Sequence, residues 1–330
     1  MTASLSSVLD ARIPILSAPM AGAAGPDLVA AVCNAGGYGV LPLWHKPMDG
    51  FVADLAQAQA ATQQNFAVNI NVANPYKDQL QACIDHKVHA VSLFWGMDTD
   101  AIDMAKDGGL KVLYSVGTSQ EAKAAEAAGA DVIVAQGWEA GGHVWGRVSS
   151  LALIPAVVDA VNIPVVAAGG IADGRAMAAA TMLGASGVWV GTRFLASTEA
   201  TIHETYRQRI LDAREDQTEW YHELYDISWP DAPHRALKNA TSQGWHQAGA
   251  PKPGQRPNEG QVIGHRPNGD PVERYQSYTP FSGTTGDVDA MSLWSGQGVS
   301  QVRQVMSAAE IVDELYRDAQ TALQNGRSIL

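Results

Sequence analysis

Cysteine is nearly missing from this chain: Cys33 and Cys83 are the two in 330 residues, far apart and outside any CxxC pair. That argues against both a thiolate metal site and a disulfide framework, and no metal is expected. Long apolar runs are also lacking; none approaches the ~20 residues that a membrane-spanning helix requires. The opening MTASLSSVLDARIP has no basic stretch followed by an apolar core. No secretory leader is read there, and a reducing cytoplasm is the expected compartment. Net positive charge is absent too, with 22 Lys and Arg against 34 Asp and Glu, a formal −12. An acidic surface does not draw nucleic acid or anionic membranes through its bulk field, so neither is expected as a partner. A local anion site made of main-chain amides is still open, because it needs no net charge.

What is present is core material. The chain is 46% hydrophobic and 17% charged, enough to bury a large interior without cross-links. Eight short apolar runs recur about 25 residues apart, the period of a strand-helix unit in an α/β barrel: IPILSAP (13–19), YGVLPL (38–43), FAVNINV (66–72), AVSLFWG (90–96), KVLYSVG (111–117), ADVIVAQG (130–137), IPVVAAGG (163–170) and SGVWVGTR (186–193). Each is nearly continuous rather than alternating, as parallel strands covered on both faces require. Alanine-rich helical segments lie between them, such as SQEAKAAEAAG (119–129) and DGRAMAAATMLG (173–184), with Ser119 and Asp173 as candidate N-caps and glycine at the ends. The pattern predicts a (β/α)8 TIM barrel. A doubly wound sheet competes, but the first strand ends in SAPMAGAAG without GxGxxG spacing.

The texture changes near residue 200. HETYRQRILDARED (203–216) reads as a helix, and 218–300 is rich in Pro, Gly and Trp with little periodicity. Such a stretch in a compact chain reads as an ordered lid. SAAEIVDELYRDAQTAL (307–323) is an amphipathic closing helix. The expected layout is a barrel over 1–200, an irregular lid or insertion with one helix over 201–300, and a helix returning to the barrel over 301–330.

Barrel enzymes carry their chemistry at the C-terminal ends of the strands. The glycine pair Gly169 and Gly170 ends strand seven, and Gly191 with Thr192 ends strand eight. These are the loops in which barrels commonly hold a phosphate on main-chain amides. His143 follows strand six in the bare loop AQGWEAGGHVWG, where Gly142 leaves room for a substrate. An imidazole near its ordinary pKa of ~6.5 suits proton abstraction at neutral pH. Glu139 either orients that ring or a loop amide, or is a solvated charge. Asn69 and Gln136 are polar residues within or at the end of apolar strands, so each either faces the rim or is a satisfied core amide. Pro19 and Met20 end strand one, and a main-chain amide there can lie beside a cofactor. Trp138 and Val144-Trp145 flank the histidine loop and are expected to narrow the pocket. No lysine ends a strand (Lys111 begins one), so Schiff-base aldolase chemistry lacks its nucleophile.

With those residues gathered, the chain resembles the nitronate monooxygenases, formerly 2-nitropropane dioxygenases. The resemblance rests on APMAG (18–22), GWEAGGH (137–143), IPVVAAGGIADGR (163–175), VGTRF (190–194) and WSGQGV (294–299), in that order. It implies an FMN-containing TIM barrel with a small second domain. It further implies that Gly169, Gly170, Gly191 and Thr192 hold the flavin phosphate, that Pro19 and Met20 pass the isoalloxazine, that Asn69, Gln136 and Gly142 line the flavin, and that His143 is catalytic. The implied activity is oxidation of alkyl nitronates or nitroalkanes with dioxygen. FMN-dependent enoyl-acyl-carrier-protein reductases, which draw hydride from NAD(P)H, are similar to the chain in nearly the same segments and stand as the alternative. Partners are then a small-molecule substrate with O2 or NAD(P)H, and a homo-oligomer is open.

Overall fold

A computed structural model describes residues 4–327. Its frame is eight parallel strands: β1 (Ile15–Ser17), β2 (Val40–Pro42), β3 (Ala67–Asn71), β4 (Ala90–Phe94), β5 (Lys111–Val116), β6 (Val132–Gln136), β7 (Val165–Ala168) and β8 (Gly187–Val190). Each lies inside one of the eight apolar runs. Neighbours in sequence are neighbours in the sheet, and β8 pairs with β1. A parallel bridge from Leu16 in β1 to Tyr38, just before β2, closes the cylinder. The strands are short and buried on both faces, which explains their unbroken apolar runs.

One face of each strand fills the interior. Leu16, Val40, Ala67, Ala90, Leu113, Val132, Val166 and Trp189 form a cluster that also takes in Leu5 and Leu9. Those two belong to the N-terminal helix Leu5–Leu9. A Cβ on Gly187, where β8 begins, would meet Leu5 Cδ2 at 2.5 Å, so this helix plugs the N-terminal mouth of the barrel. Ile15, Val188 and the other outward residues pack under the helical ring. The opposite mouth is left for chemistry.

Helix starts follow their caps. Asp173 accepts from the Ala176 N–H at the head of Gly174–Met182, as the sequence predicts. Before Ser119–Ala127, however, Thr118 is the cap, accepting from the Glu121 N–H. Ser119 is already helical, whereas Thr118 keeps the extended backbone that a cap needs. The closing helix Ala308–Arg327 crosses Gly174–Met182 so tightly that a Cβ on Gly174 would lie 2.4 Å from the Ala319 nitrogen.

The segment 201–300, expected to hold one helix, is more regular than its texture suggests. It holds two α-helices, Glu204–Asp212 and Ala240–Gln247, and contributes to two three-stranded antiparallel sheets. In one sheet, His234–Leu237 lies between Thr218–Tyr221 and the short strand Gly142–His143. The other joins Pro271–Glu273, Val262–His265 and Thr285–Gly286. These strands have four residues or fewer, too few for alternation to stand out in sequence. The lid is thus stitched to the histidine loop, with His143 opposite His234. Buried Tyr221, Tyr225 and Tyr275 form its core, and the enclosed Arg256–Asp226 pair at 2.5 Å ties the loop before Trp229 to the rest.

His234 sits at that seam. Its Nε2 accepts from the Tyr225 N–H at 3.1 Å, so Nδ1 carries the proton and donates to the Ala232 carbonyl at 2.8 Å. Burial pushes its pKa down to about 4. Below the unfolded value of ~6.5 the unfolded chain binds the extra proton first, so stability present above pH 6.5 drains away as pH falls toward 4. The full loss is about 3 kcal/mol at 1.36 kcal/mol per pKa unit. Urea midpoints measured at pH 7 and pH 4.5 should therefore separate more for the native protein than for His234→Gln. Equal separations would assign the acid sensitivity to other groups.

Candidate functional site

A cavity of about 580 Å³ opens at the C-terminal ends of the strands, beneath the lid, well within the size range of small-molecule and cofactor sites. Pro19, Met20, Asn69, Gln136, Gly142, His143, Gly169, Gly170, Gly191 and Thr192 all line it. These ten residues come from the middle of β3, from the ends of β1, β6, β7 and β8, and from the histidine loop.

The wall formed by the β7 and β8 loops presents main-chain donors. Gly169 and Gly170 have φ of +102° and +72°, a region in which side chains are strained. A Cβ on Gly169 would also lie 2.8 Å from the Gly137 carbonyl oxygen and 3.1 Å from the Ala140 nitrogen. Glycine there brings the β7 loop onto the histidine loop. Gly298 makes a similar approach, its Cβ position 2.6 Å from the Gly170 oxygen, which gives WSGQGV a structural role. Among the described residues no hydrogen bond uses the N–H of Gly170, Gly191 or Thr192. The Thr192 hydroxyl accepts from the Gly296 N–H at 3.1 Å, so its own proton is free to be donated. Unengaged donors of this kind can hold an anion.

His143 faces the same space from the opposite strand ends. Trp229 stacks on it, with ring centroids 3.8 Å apart and planes at 29°. Trp95 meets it edge-on at 5.7 Å, and Trp294 lies 5.2 Å away. Its Nε2 is buried without a hydrogen-bond partner among the described residues. Desolvation, helped by His234, holds its pKa well below the ordinary value. That differs from the near-6.5 value expected from sequence, because an apolar aromatic box disfavours the charged ring. The imidazole is neutral at physiological pH.

The two amides have distinct duties. Gln136 donates from Nε2 to the His143 carbonyl at 3.0 Å and accepts at Oε1 from the Trp145 N–H at 3.0 Å. Both ends of its amide thus brace the histidine loop. Asn69 donates to the Ser92 carbonyl at 3.1 Å and to its hydroxyl at 3.3 Å. Its Oδ1 makes no hydrogen bond among the described residues and is available to a ligand N–H. The alternatives of rim amide and satisfied core amide are both partly true of it.

Three residues of the loop belong elsewhere. Glu139 accepts from the N–H and hydroxyl of Ser150, holding the head of helix Ser150–Val158 rather than the imidazole. Trp138 turns away from the cavity to stack near Trp220 and under Arg235, and Val144 is fully buried. Of the three bulky neighbours only Trp145 lines the pocket.

Sequence reasoning missed most of the aromatic wall. Trp44, Phe94, Trp95 and Trp229 pack together, with centroid separations from 4.8 to 6.4 Å. Trp95 follows β4 directly and Trp44 lies two residues past β2, positions that mark rim residues in a barrel. Trp95 is held at φ +73°, a conformation costing of order 1–3 kcal/mol for such a residue. Trp229 had no comparable signal.

Comparison with known proteins places this arrangement in a family. The family model described as nitronate monooxygenase matches residues 3–77 and 67–318. A nitronate monooxygenase of Paraburkholderia phytofirmans is 28% identical, the match covering 95% of this chain and 94% of that protein. A (3aS,4S,5R,7aS)-5-hydroxy-7a-methyl-1-oxo-octahydro-1H-indene-4-carboxyl-CoA dehydrogenase of Mycobacterium tuberculosis is 35% identical over 71% of this chain, a match that spans 65% of that relative's length. Among solved structures, FabK of Thermotoga maritima superposes with a TM-score of 0.82 at 28% identity, covering all of both chains. Nitroalkane oxidase of Streptomyces ansochromogenes gives 0.79 at 28% identity, over 98% of this chain and 99% of that one. The chain belongs to the nitronate monooxygenase family of flavin-dependent oxidoreductases.

Proposed function

We propose that the flavin is FMN and that the protein oxidises alkyl nitronates, or nitroalkanes after deprotonation, with dioxygen. The observation that carries this reading is the pairing, in one cavity, of unengaged N–H groups at Gly170, Gly191 and Thr192 with the neutral, unpartnered His143. The residues fit the cofactor. The glycine loops and the Thr192 hydroxyl would hold a terminal phosphate, Asn69 Oδ1 would accept from the ring edge, and Pro19, Met20 and Gly142 would lie along the flavin. When bound, the flavin supplies the redox chemistry, accepting electrons from the substrate and returning them to dioxygen.

His143 does the proton work in this reading. Since its pKa is depressed, it is already unprotonated across neutral pH. The acid limb of kcat/KM for a neutral nitroalkane is therefore expected below pH 6.5. Gln136 fixes the loop that carries the ring. The aromatic wall limits water near the reacting centre, which strengthens electrostatic contacts there.

A second reading, an NAD(P)H-dependent enoyl reductase, is favoured by the full-length superposition on FabK. Anaerobic mixing with NADH or NADPH separates the two. A nitronate monooxygenase should keep its flavin spectrum over minutes yet turn over propyl nitronate in air. Rapid bleaching by either nucleotide, without nitronate turnover, would replace the first reading with the second.

A further inference from the structure

The cavity is chemically lopsided in a way that the flavin and His143 do not explain. Among the described residues no Asp or Glu lines it, and Arg266 is the one Lys or Arg that does, in a chain with net charge −12. Arg266 follows Val262–His265 at a hairpin turn, where its N–H donates to the Asp270 carbonyl at 2.8 Å and its own carbonyl accepts from the Gly269 N–H at 2.9 Å. The backbone is therefore fixed. Its guanidinium lies over the Tyr278 ring, 5.0 Å from the centroid. Among the described residues it makes no ion pair and no side-chain hydrogen bond, and its Nε is buried without a partner.

Arg266 is half-buried, and the two buried arginines of the lid have protein partners, although the Nε of Arg235 also lacks one. Arg256 binds Asp226 and Glu259, and Arg235 donates to the Trp138 carbonyl at 3.1 Å. Apart from the buried Nε, the N–H groups of Arg266 are not engaged by the described residues and remain available to a ligand with matching oxygens. Tyr278 leads to the reacting end: the adjacent Thr279 hydroxyl accepts from Trp294 Nε1 at 3.0 Å, and Trp294 contacts His143.

From this we infer that Arg266 is a substrate-binding residue that selects a planar anion with two equivalent oxygens, with the aromatic wall taking the substrate's apolar body. Nitronates and carboxylates share that geometry, two oxygens in one plane carrying one charge, and a guanidinium meets it with two parallel N–H donors. The inference rests on the proposed nitronate reading for its natural substrate, but the anion recognition can be tested without turnover. The anionic group could also belong to the cofactor, whose phosphate is the other candidate for an arginine, and the test separates these sources.

Calorimetric titration of the flavin-loaded enzyme with benzoate and with benzyl alcohol compares a planar anion with a neutral molecule of similar size. Native protein should bind benzoate the more tightly. Arg266→Ala should weaken benzoate at least tenfold and leave benzyl alcohol within about twofold, on the scale of a charge-assisted hydrogen bond. Arg266→Lys, which keeps the charge and loses the fork, should fall between and guards against a simple folding defect in the alanine variant. With propyl nitronate as substrate, the alanine variant should raise KM far more than it lowers kcat. Equal weakening of both probes, or native protein that does not distinguish them, overturns the inference. So does loss of flavin from Arg266→Ala with benzoate affinity intact, since the arginine would then serve the cofactor. Absence of nitronate turnover in native protein would remove the proposed activity while leaving the benzoate result to decide Arg266 separately.

Discussion

Gly191→Asp should purify as a folded but colourless protein. The backbone there has φ −106°, a value open to ordinary residues, and a Cβ would meet only the Ala18 Cβ at 3.4 Å and the Met20 sulfur at 3.8 Å. The substitution therefore adds a carboxylate beside the Thr192 N–H without forcing main chain apart. Two like charges about 4 Å apart repel by about 4 kcal/mol at an effective dielectric of 20, roughly a thousandfold in affinity. Absorbance at 450 nm relative to 280 nm reads the flavin, and a melting curve reads the fold. Gly191→Ala, with the same Cβ and no charge, should remain yellow. A yellow aspartate variant would move the phosphate to another wall. Gly169→Asp makes a poorer test, because its Cβ strikes the Gly137 carbonyl and would disturb the histidine loop whether or not a phosphate lies near.

The second large effect is expected at the imidazole. His143→Ala should keep its flavin, since the anion cradle is built from other residues, and lose turnover of neutral nitroalkanes by ~10²-fold or more, the usual scale for a general base. Supplying the preformed nitronate bypasses proton abstraction, so the loss with that substrate should be smaller. The contrast between the two substrates is the diagnostic. Removing the ring also removes the stacking partner of Trp229, and His143→Gln controls for that by partly filling the space. Turnover of a neutral nitroalkane within a few fold of native would strip His143 of the role.

Both predictions draw on parts of the site that the chain announces locally. A GG or GT at the end of an apolar run marks a strand end and a bend, and a closed parallel barrel brings such ends to one mouth. Gly169, Gly170, Gly191, Thr192 and His143 could therefore be named before any coordinates. Trp44 and Trp95 obey the same rule and were overlooked because an aromatic residue after a strand looks like core. Trp229 and Arg266 had no such marker. Their position depends on a lid whose strands are too short to show a period and whose partners are distant in the chain.

The sequence by itself determined the barrel, its strand order and the loops that face the cavity, because continuous apolar runs and glycine ends are local consequences of burial and bending. Only the tertiary structure decided that Glu139 caps a helix, that Trp138 turns outward, and that Arg266 meets the cavity unpaired. It also decided the protonation of His143, since the pKa of a group depends on what surrounds it and here the surroundings come from five separate segments: β4's end, the histidine loop, His234, Trp229 and Trp294. Desolvation and pairing are sums over neighbours in space, and a one-dimensional pattern records only neighbours along the chain.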